Sequence, residues 1–153
     1  MTTITAAYEI YLAVLFAFPQ TPARQCLINR REIVVGAIES SMRTYPEMPP
    51  QLFVAVGFLE THLGCARGEG GNWGAPISPT RRHVAGTPMH AARALWRSYE
   101  VCGDWEAATR RFRTGLCRNT IIGTRYGRNA IRFARSIRFQ VMASREYEMR
   151  ISR

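Results

Sequence analysis

The chain has 153 residues, of which 46% are hydrophobic and 21% charged, so it is expected to form about one globular domain rather than a disordered segment. Its net charge is +10, and all 21 basic residues are arginine. No acidic residue lies between Ala107 and Arg145. This excess of positive charge predicts either an anionic partner or a solvated basic surface.

The N-terminal apolar stretch, Ile10 to Phe18, is too short to span a bilayer and has no basic region before it. We therefore expect no membrane span and no conventional signal peptide, and we expect an amphipathic helix there instead.

Apolar periodicity, with proline and glycine at the ends of the periodic segments, predicts six helices. They cover residues 5–18, 24–43, 50–63, 88–101, 105–114 and 125–147. Residues 64–86 are rich in glycine and proline, which predicts an irregular loop or a small β-hairpin. The sequence thus predicts a mainly α single domain over 1–153, with N-terminal helices in 1–48 and the candidate site in 49–147.

Four cysteines, Cys26, Cys65, Cys102 and Cys117, include no Cys-x-x-Cys pair and no histidines at zinc-finger spacing. We therefore expect neither a metal site nor a cofactor. Two alternatives remain for the thiols: two disulfides, of which Cys102 with Cys117 is the easiest to form, or buried free cysteines.

Glu60 is the most informative residue, because it ends an apolar run that begins with Pro49 and Pro50 and closes at Gly64. At helical spacing its carboxyl group emerges beside Phe53 rather than on a polar face. Desolvation in such a place favours the neutral acid that a general acid must be. The alternative is a helix-end glutamate that extends into solvent.

The order of motifs resembles the lysozyme-like soluble lytic transglycosylases over residues 49–140. In that family the catalytic glutamate lies in a Glu-Ser pair at the end of a helix begun by proline, and Glu60-Thr61 occupies that place here. The family's glycine-rich loop is matched by residues 68–78, although its Gly-Leu-Met-Gln end is replaced by Gly74-Ala75-Pro76-Ile77. Its Ala-Tyr-Asn-x-Gly motif is matched loosely at 111–115, where Phe112 supplies the ring. A tyrosine at the start of the closing helix, which hydrogen-bonds the acid in the family, is matched by Tyr126.

The resemblance implies a lysozyme-like helical domain whose glycine-rich loop or small β-hairpin lines a cleft, and it makes Thr61, Phe112 and Tyr126 candidate substrate-binding residues. Trp73 is interpreted as a platform for sugar stacking or, alternatively, as an anchor in the core. Asn72 and Ser78 are expected to bond N-acetyl groups or to satisfy the backbone of turns. Tyr126 is the partner of Glu60 or packs with its hydroxyl in water.

The chemistry implied is cleavage of peptidoglycan between N-acetylmuramic acid and N-acetylglucosamine. With Glu60 alone, the expected reaction is lytic transglycosylation, in which Glu60 acts first as acid and then as base and a 1,6-anhydro sugar is formed. If Glu69 positions water as a second carboxylate, the expected reaction is hydrolysis of the goose-type lysozyme kind. A third reading, of another class, is an arginine-rich nucleic-acid-binding protein or a non-catalytic virion protein.

The expected partners follow from this reading. They are peptidoglycan strands, anionic envelope polymers bound through the face from Arg125 to Arg138, and proteins of a virion or secretion apparatus. The expected place of action is the periplasm or cell envelope, reached as part of a phage virion, as an endolysin or with a secretion apparatus.

Overall fold

The computed structural model describes residues 1–17, 23–66, 73–74 and 87–152. About 80% of these residues are helical and none forms a strand, which confirms the mainly α fold class. The helices are α1 (Thr3–Ala17), α2 (Arg24–Asn29), α3 (Arg31–Thr44), α4 (Pro50–Thr61), α5 (Pro88–Cys102), α6 (Trp105–Thr114) and α7 (Ile121–Ile151). The predicted β-hairpin falls almost wholly outside the described residues. Among the described helices, none is both long and apolar enough to cross a bilayer.

Helix α4 lies in the middle of the packing and contacts α3, α5 and α7. Residues 52–58 are all buried, as expected of a helix that is apolar on every side. The long helix α7 runs past α1, α4 and α6 and contacts each of them. The N-terminal helices therefore pack directly against the C-terminal one.

Three of the differences from the predicted helix boundaries have a clear local cause. The predicted second helix is divided at Arg30, whose φ and ψ of −102° and 15° interrupt α2 and α3. Helix α4 ends at Thr61 because His62 and Leu63 both adopt left-handed backbone conformations. Helix α7 begins four residues early, because the Thr120 hydroxyl accepts a hydrogen bond from Gly123 N at 3.0 Å and caps it.

Of the two alternatives for the cysteines, the structure has the disulfides: Cys26 pairs with Cys65 and Cys102 with Cys117. Their Cα atoms are 5.8 and 5.6 Å apart, within the ordinary range for a disulfide. The first bond joins α2 to the turn after α4. The second joins the end of α5 to the segment before α7.

Candidate active site

Glu60 lies in the last turn of the buried helix α4, with its side chain 12% exposed. The helix starts at a proline, whose missing N–H costs nothing in the first turn, and it stops in the left-handed sequence His62, Leu63, Gly64. Left-handed conformations are unfavourable for residues other than glycine, so two of these three residues carry backbone strain. The Glu60 carboxylate therefore lies near the C-terminal end of a helix that is otherwise mostly apolar and buried.

The turn after Glu60 is fixed to α2 at two points. The disulfide holds Cys65, and Arg30 donates from Nη1 to the carbonyl oxygen of Gly64 at 3.0 Å. Within the turn, the Thr61 hydroxyl accepts from Gly64 N at 2.9 Å. Thr61 is buried, so it acts as a support of the turn rather than as an open surface for substrate.

Gly74 presses directly on the Glu60 side chain. A Cβ atom added at Gly74 would lie 2.7 Å from Glu60 Cγ and 3.4 Å from Phe112 Cζ, and the residue has a φ of +101°. Only glycine tolerates both the close approach and this conformation. Gly74, which belongs to the predicted glycine-rich loop, therefore meets the predicted acid, with the buried ring of Phe112 behind them.

Trp73 is wholly buried and stacks on Phe53, with ring centroids 5.0 Å apart. Its ring also lies against Gly57, where an added Cβ would come within 2.8 Å of Trp73 Cε3. This burial contradicts the interpretation of Trp73 as a sugar platform and agrees with the core-anchor alternative. Phe112, 3% exposed, likewise supports the site from behind instead of facing substrate. The Trp73 and Phe112 rings can pack here because Gly57 and Gly74, which lie beside them, have no side chains.

Arg113 is the partner of Glu60 that the sequence did not reveal. Its Nη1 donates to Glu60 Oε2 at 3.3 Å, and its side chain is 43% exposed. The guanidinium carbon also lies 5.8 Å from the centroid of the Tyr126 ring, within cation–π range. Arg113 follows Phe112 in the loosely matched motif, and that position was the only signal for it.

Tyr126 lies in the second turn of α7, on the side that faces Glu60. Burial of its hydroxyl raises the pKa of Tyr126 strongly, and the nearby negative charge of the Glu60 carboxylate raises this pKa further. By strict geometry, however, neither the Tyr126 hydroxyl nor Glu60 Oε1 completes a hydrogen bond in the described part of the chain. The Glu60 carboxylate therefore acts on Tyr126 through its charge.

Unsatisfied buried polar atoms concentrate at this site. Four such side-chain atoms occur among the described residues, and three of them belong to Glu60, Trp73 and Tyr126. Buried polar groups in folded proteins are nearly always hydrogen-bonded, so a cluster of exceptions is typical of a functional site. Glu60 Oε1 and the Tyr126 hydroxyl are suited to bonding a polar ligand.

Three predicted site residues, Glu69, Asn72 and Ser78, lie outside the described residues. No cluster of histidine, cysteine, aspartate or glutamate that could hold a metal ion occurs within the described ranges. The described part of the site comprises Glu60, Gly74, Arg113 and Tyr126, together with the groups that support them.

A groove of about 710 Å³ lies elsewhere, on the N-terminal half of α7 and the segment before it. Its lining is basic and polar and comprises Asn119, Thr120, Ile121, Thr124, Arg125, Arg128, Asn129 and Arg132. Glu60 does not line this groove. This groove and the candidate acid therefore share no lining residue.

Comparisons with known proteins do not place the chain in a family. No protein-family model, no curated protein and no solved structure matches it.

Proposed function

We propose that the protein is a peptidoglycan lytic transglycosylase in which Glu60 serves as acid and then as base. The observation that carries this proposal is the convergence of the Arg113 guanidinium and the Tyr126 hydroxyl on one carboxyl group at the end of a buried helix. The motif order in the sequence and the contact of Gly74 with Glu60 support it independently.

The reaction needs one carboxyl group in two protonation states. Neutral Glu60 donates its proton to the glycosidic oxygen between N-acetylmuramic acid and N-acetylglucosamine, and the bond from C1 to that oxygen breaks. The 2-acetamido group of the sugar stabilises the positive charge that develops at C1. Glu60, now ionised, removes the proton of the C6 hydroxyl, and O6 bonds to C1. The 1,6-anhydro product forms, Glu60 is neutral again, and no water is consumed.

The surroundings of Glu60 suit this exchange. Glu60 Oε1 is buried, and the Arg113 guanidinium lies at Oε2, where it can bond the carboxylate that remains after proton donation. Arg113 is partly exposed, so it can move as substrate enters. Tyr126 keeps its proton and is therefore available as a hydrogen-bond donor to the carboxylate. Among the described residues that meet at this site, Glu60 is the one carboxylate, and a single carboxyl group that serves as acid and then as base is sufficient for intramolecular attack by O6.

The test is zymography in gels that contain purified peptidoglycan, with the wild type and Glu60→Gln in parallel. The substitution keeps the size of the side chain but removes its ability to donate and accept the proton, so activity is expected to fall about 1,000-fold. Glu47→Gln is the matched control, because Glu47 is exposed just before the same helix and is expected to retain full activity.

Two outcomes of zymography, and one outcome of analysing the released products, would count against the proposal. Undiminished clearing by Glu60→Gln would remove Glu60 from the mechanism. No clearing by a folded wild type would favour the non-catalytic reading. Clearing with products that end in reducing sugars would make the protein a hydrolase.

A further inference from the structure

The outward face of α7 combines clustered arginines with large exposed apolar residues. At 100° per residue, its most exposed line carries Ile121, then Arg125, Arg128, Arg132 and Arg135, and then Phe139. All six side chains are exposed. We call the four arginines the basic face and the two apolar residues its flanks.

The basic face has unbalanced charge. Residues 107–145 contain no acid, and none of its four arginines makes an ion pair within the described part of the chain. The ion pairs of α7 lie further along, at Arg145 with Glu9 and at Arg150 with Glu146. One polar contact is present, from Arg132 Nη2 to Asn129 Oδ1 at 3.2 Å. The charge is therefore available to an anionic partner.

The flanks are large apolar side chains held in water. Ile121 is 91% exposed and Phe139 is 69% exposed, and Ile122 and Met142 are also exposed beside them. With a rise of about 1.5 Å per residue, the two flanks lie roughly 27 Å apart, with the arginines between them. Polyanions such as nucleic acids are bound mainly through charge and give no reason to expose isoleucine and phenylalanine at both ends.

The groove beside the basic face supplies polar donors at the same place. Thr120, Thr124 and Asn129 line it together with Arg125 and Arg128, and its volume is about 710 Å³. Guanidinium groups bind phosphate oxygens through paired N–H donors, and hydroxyl and amide groups add further bonds. The combination fits a phosphate-bearing headgroup next to acyl chains.

We propose that the outward face of α7 docks the protein on an anionic phospholipid membrane, with the basic face on the headgroups and the flanks inserted among the upper acyl chains. Anionic headgroups attract clustered arginines, and exposed large apolar side chains gain free energy when they enter the boundary between headgroups and acyl chains. Docking does not depend on the proposed wall-cleaving activity, because Glu60 and Tyr126 face the opposite side of α7.

The experiment is sedimentation of the full chain with phosphatidylcholine vesicles that contain or lack phosphatidylglycerol. Binding is expected only with the anionic lipid and should weaken as salt is raised. The triple variant Arg125→Gln, Arg128→Gln, Arg132→Gln is expected to bind roughly 100-fold more weakly. The control triple variant Arg43→Gln, Arg93→Gln, Arg97→Gln has the same net charge and should bind as the wild type does.

A second pair of measurements separates lipid from other polyanions. Ile121→Ser with Phe139→Ser should weaken vesicle binding about 10-fold or more and leave binding to inorganic polyphosphate and duplex DNA unchanged. Equal binding to both kinds of vesicle, equal loss in the two triple variants, or binding of polyphosphate or DNA without binding of anionic vesicles would overturn the proposal. Circular dichroism checks that each variant is folded.

Discussion

The two sides of α7 use polar groups in opposite ways. On the inward side, Tyr126 and its neighbour Glu60 are largely buried, make few hydrogen bonds and sit among glycines that leave no spare room. On the outward side, Arg125, Arg128 and Arg132 are solvated and surrounded by open surface. The interactions of buried groups depend on their exact positions, whereas the attraction of exposed charges for a partner depends mainly on how many charges there are. A small displacement should therefore damage the first region and hardly affect the second.

Removal of a disulfide is expected to have the largest effect. One disulfide holds the turn after Glu60, and the other holds the segment before α7. Replacing Cys26 and Cys65 by serine opens a loop with a sequence separation of 39 and is expected to cost about 4 kcal/mol of unfolding free energy. Replacing Cys102 and Cys117 opens one with a separation of 15 and should cost about 3 kcal/mol. Urea denaturation measures both.

Activity separates the two cysteine variants further. Loss of the first disulfide releases the turn after Glu60, so cleavage of peptidoglycan should fall more than in the second variant at a temperature where both are folded. Equal activity in the two variants would show that the tether to α2 does not position Glu60.

Gly74→Ala is expected to have the next largest effect. The added methyl group would overlap Glu60 Cγ and would strain a backbone with positive φ, so the carboxyl group must shift. A misplacement of about 1 Å at a reacting group can reduce the rate roughly 100-fold, and we expect a loss of that order in peptidoglycan cleavage. Gly36→Ala is the control, because nothing lies within 4 Å of its added Cβ. A fully active Gly74→Ala variant would contradict the positional account.

Substitution of Tyr126 is expected to have the smallest effect, which is a change in how stability depends on pH. The pKa of Tyr126 is raised in the folded protein by burial and by Glu60, so the stabilisation is complete below the ordinary tyrosine pKa of about 10. Above that pH the unfolded chain loses the proton and the folded one keeps it, so stability should fall by about 1.4 kcal/mol per pH unit.

The measurement is denaturant unfolding between about pH 8 and 11 for the wild type and Tyr126→Phe. The variant lacks the phenolic proton and should show a shallower alkaline loss than the wild type. Tyr147→Phe, on the exposed end of α7, should behave as the wild type does. Parallel alkaline curves for Tyr126→Phe and the wild type would place its hydroxyl in water.

Much of the fold could be predicted because its signals are local. The start of α4 is marked by proline, and the caps of α5 and α6 are marked by Thr87 and Asp104. The break at Arg30 could not be predicted, since neither glycine nor proline marks it. The early start of α7 was missed because Ile121 and Ile122 are apolar yet exposed, so periodicity assigns them wrongly.

Residues of the candidate site could be predicted only where they match a position in a sequence motif. Glu60 and Tyr126 were found by position and lie near each other. Arg113 was not, because it is 53 positions from Glu60 and nothing local indicates their ion pair. For Trp73 the choice between a sugar platform and a core anchor stayed open, because the sequence does not show that Gly57 leaves a space into which its ring packs.

The most direct test of the central claim is mass spectrometry of the muropeptides released from purified peptidoglycan by the wild type and by Glu60→Gln. The account predicts 1,6-anhydro ends from the wild type and almost no products from the variant. Products with reducing ends, or anhydro products from Glu60→Gln at the wild-type rate, would contradict it.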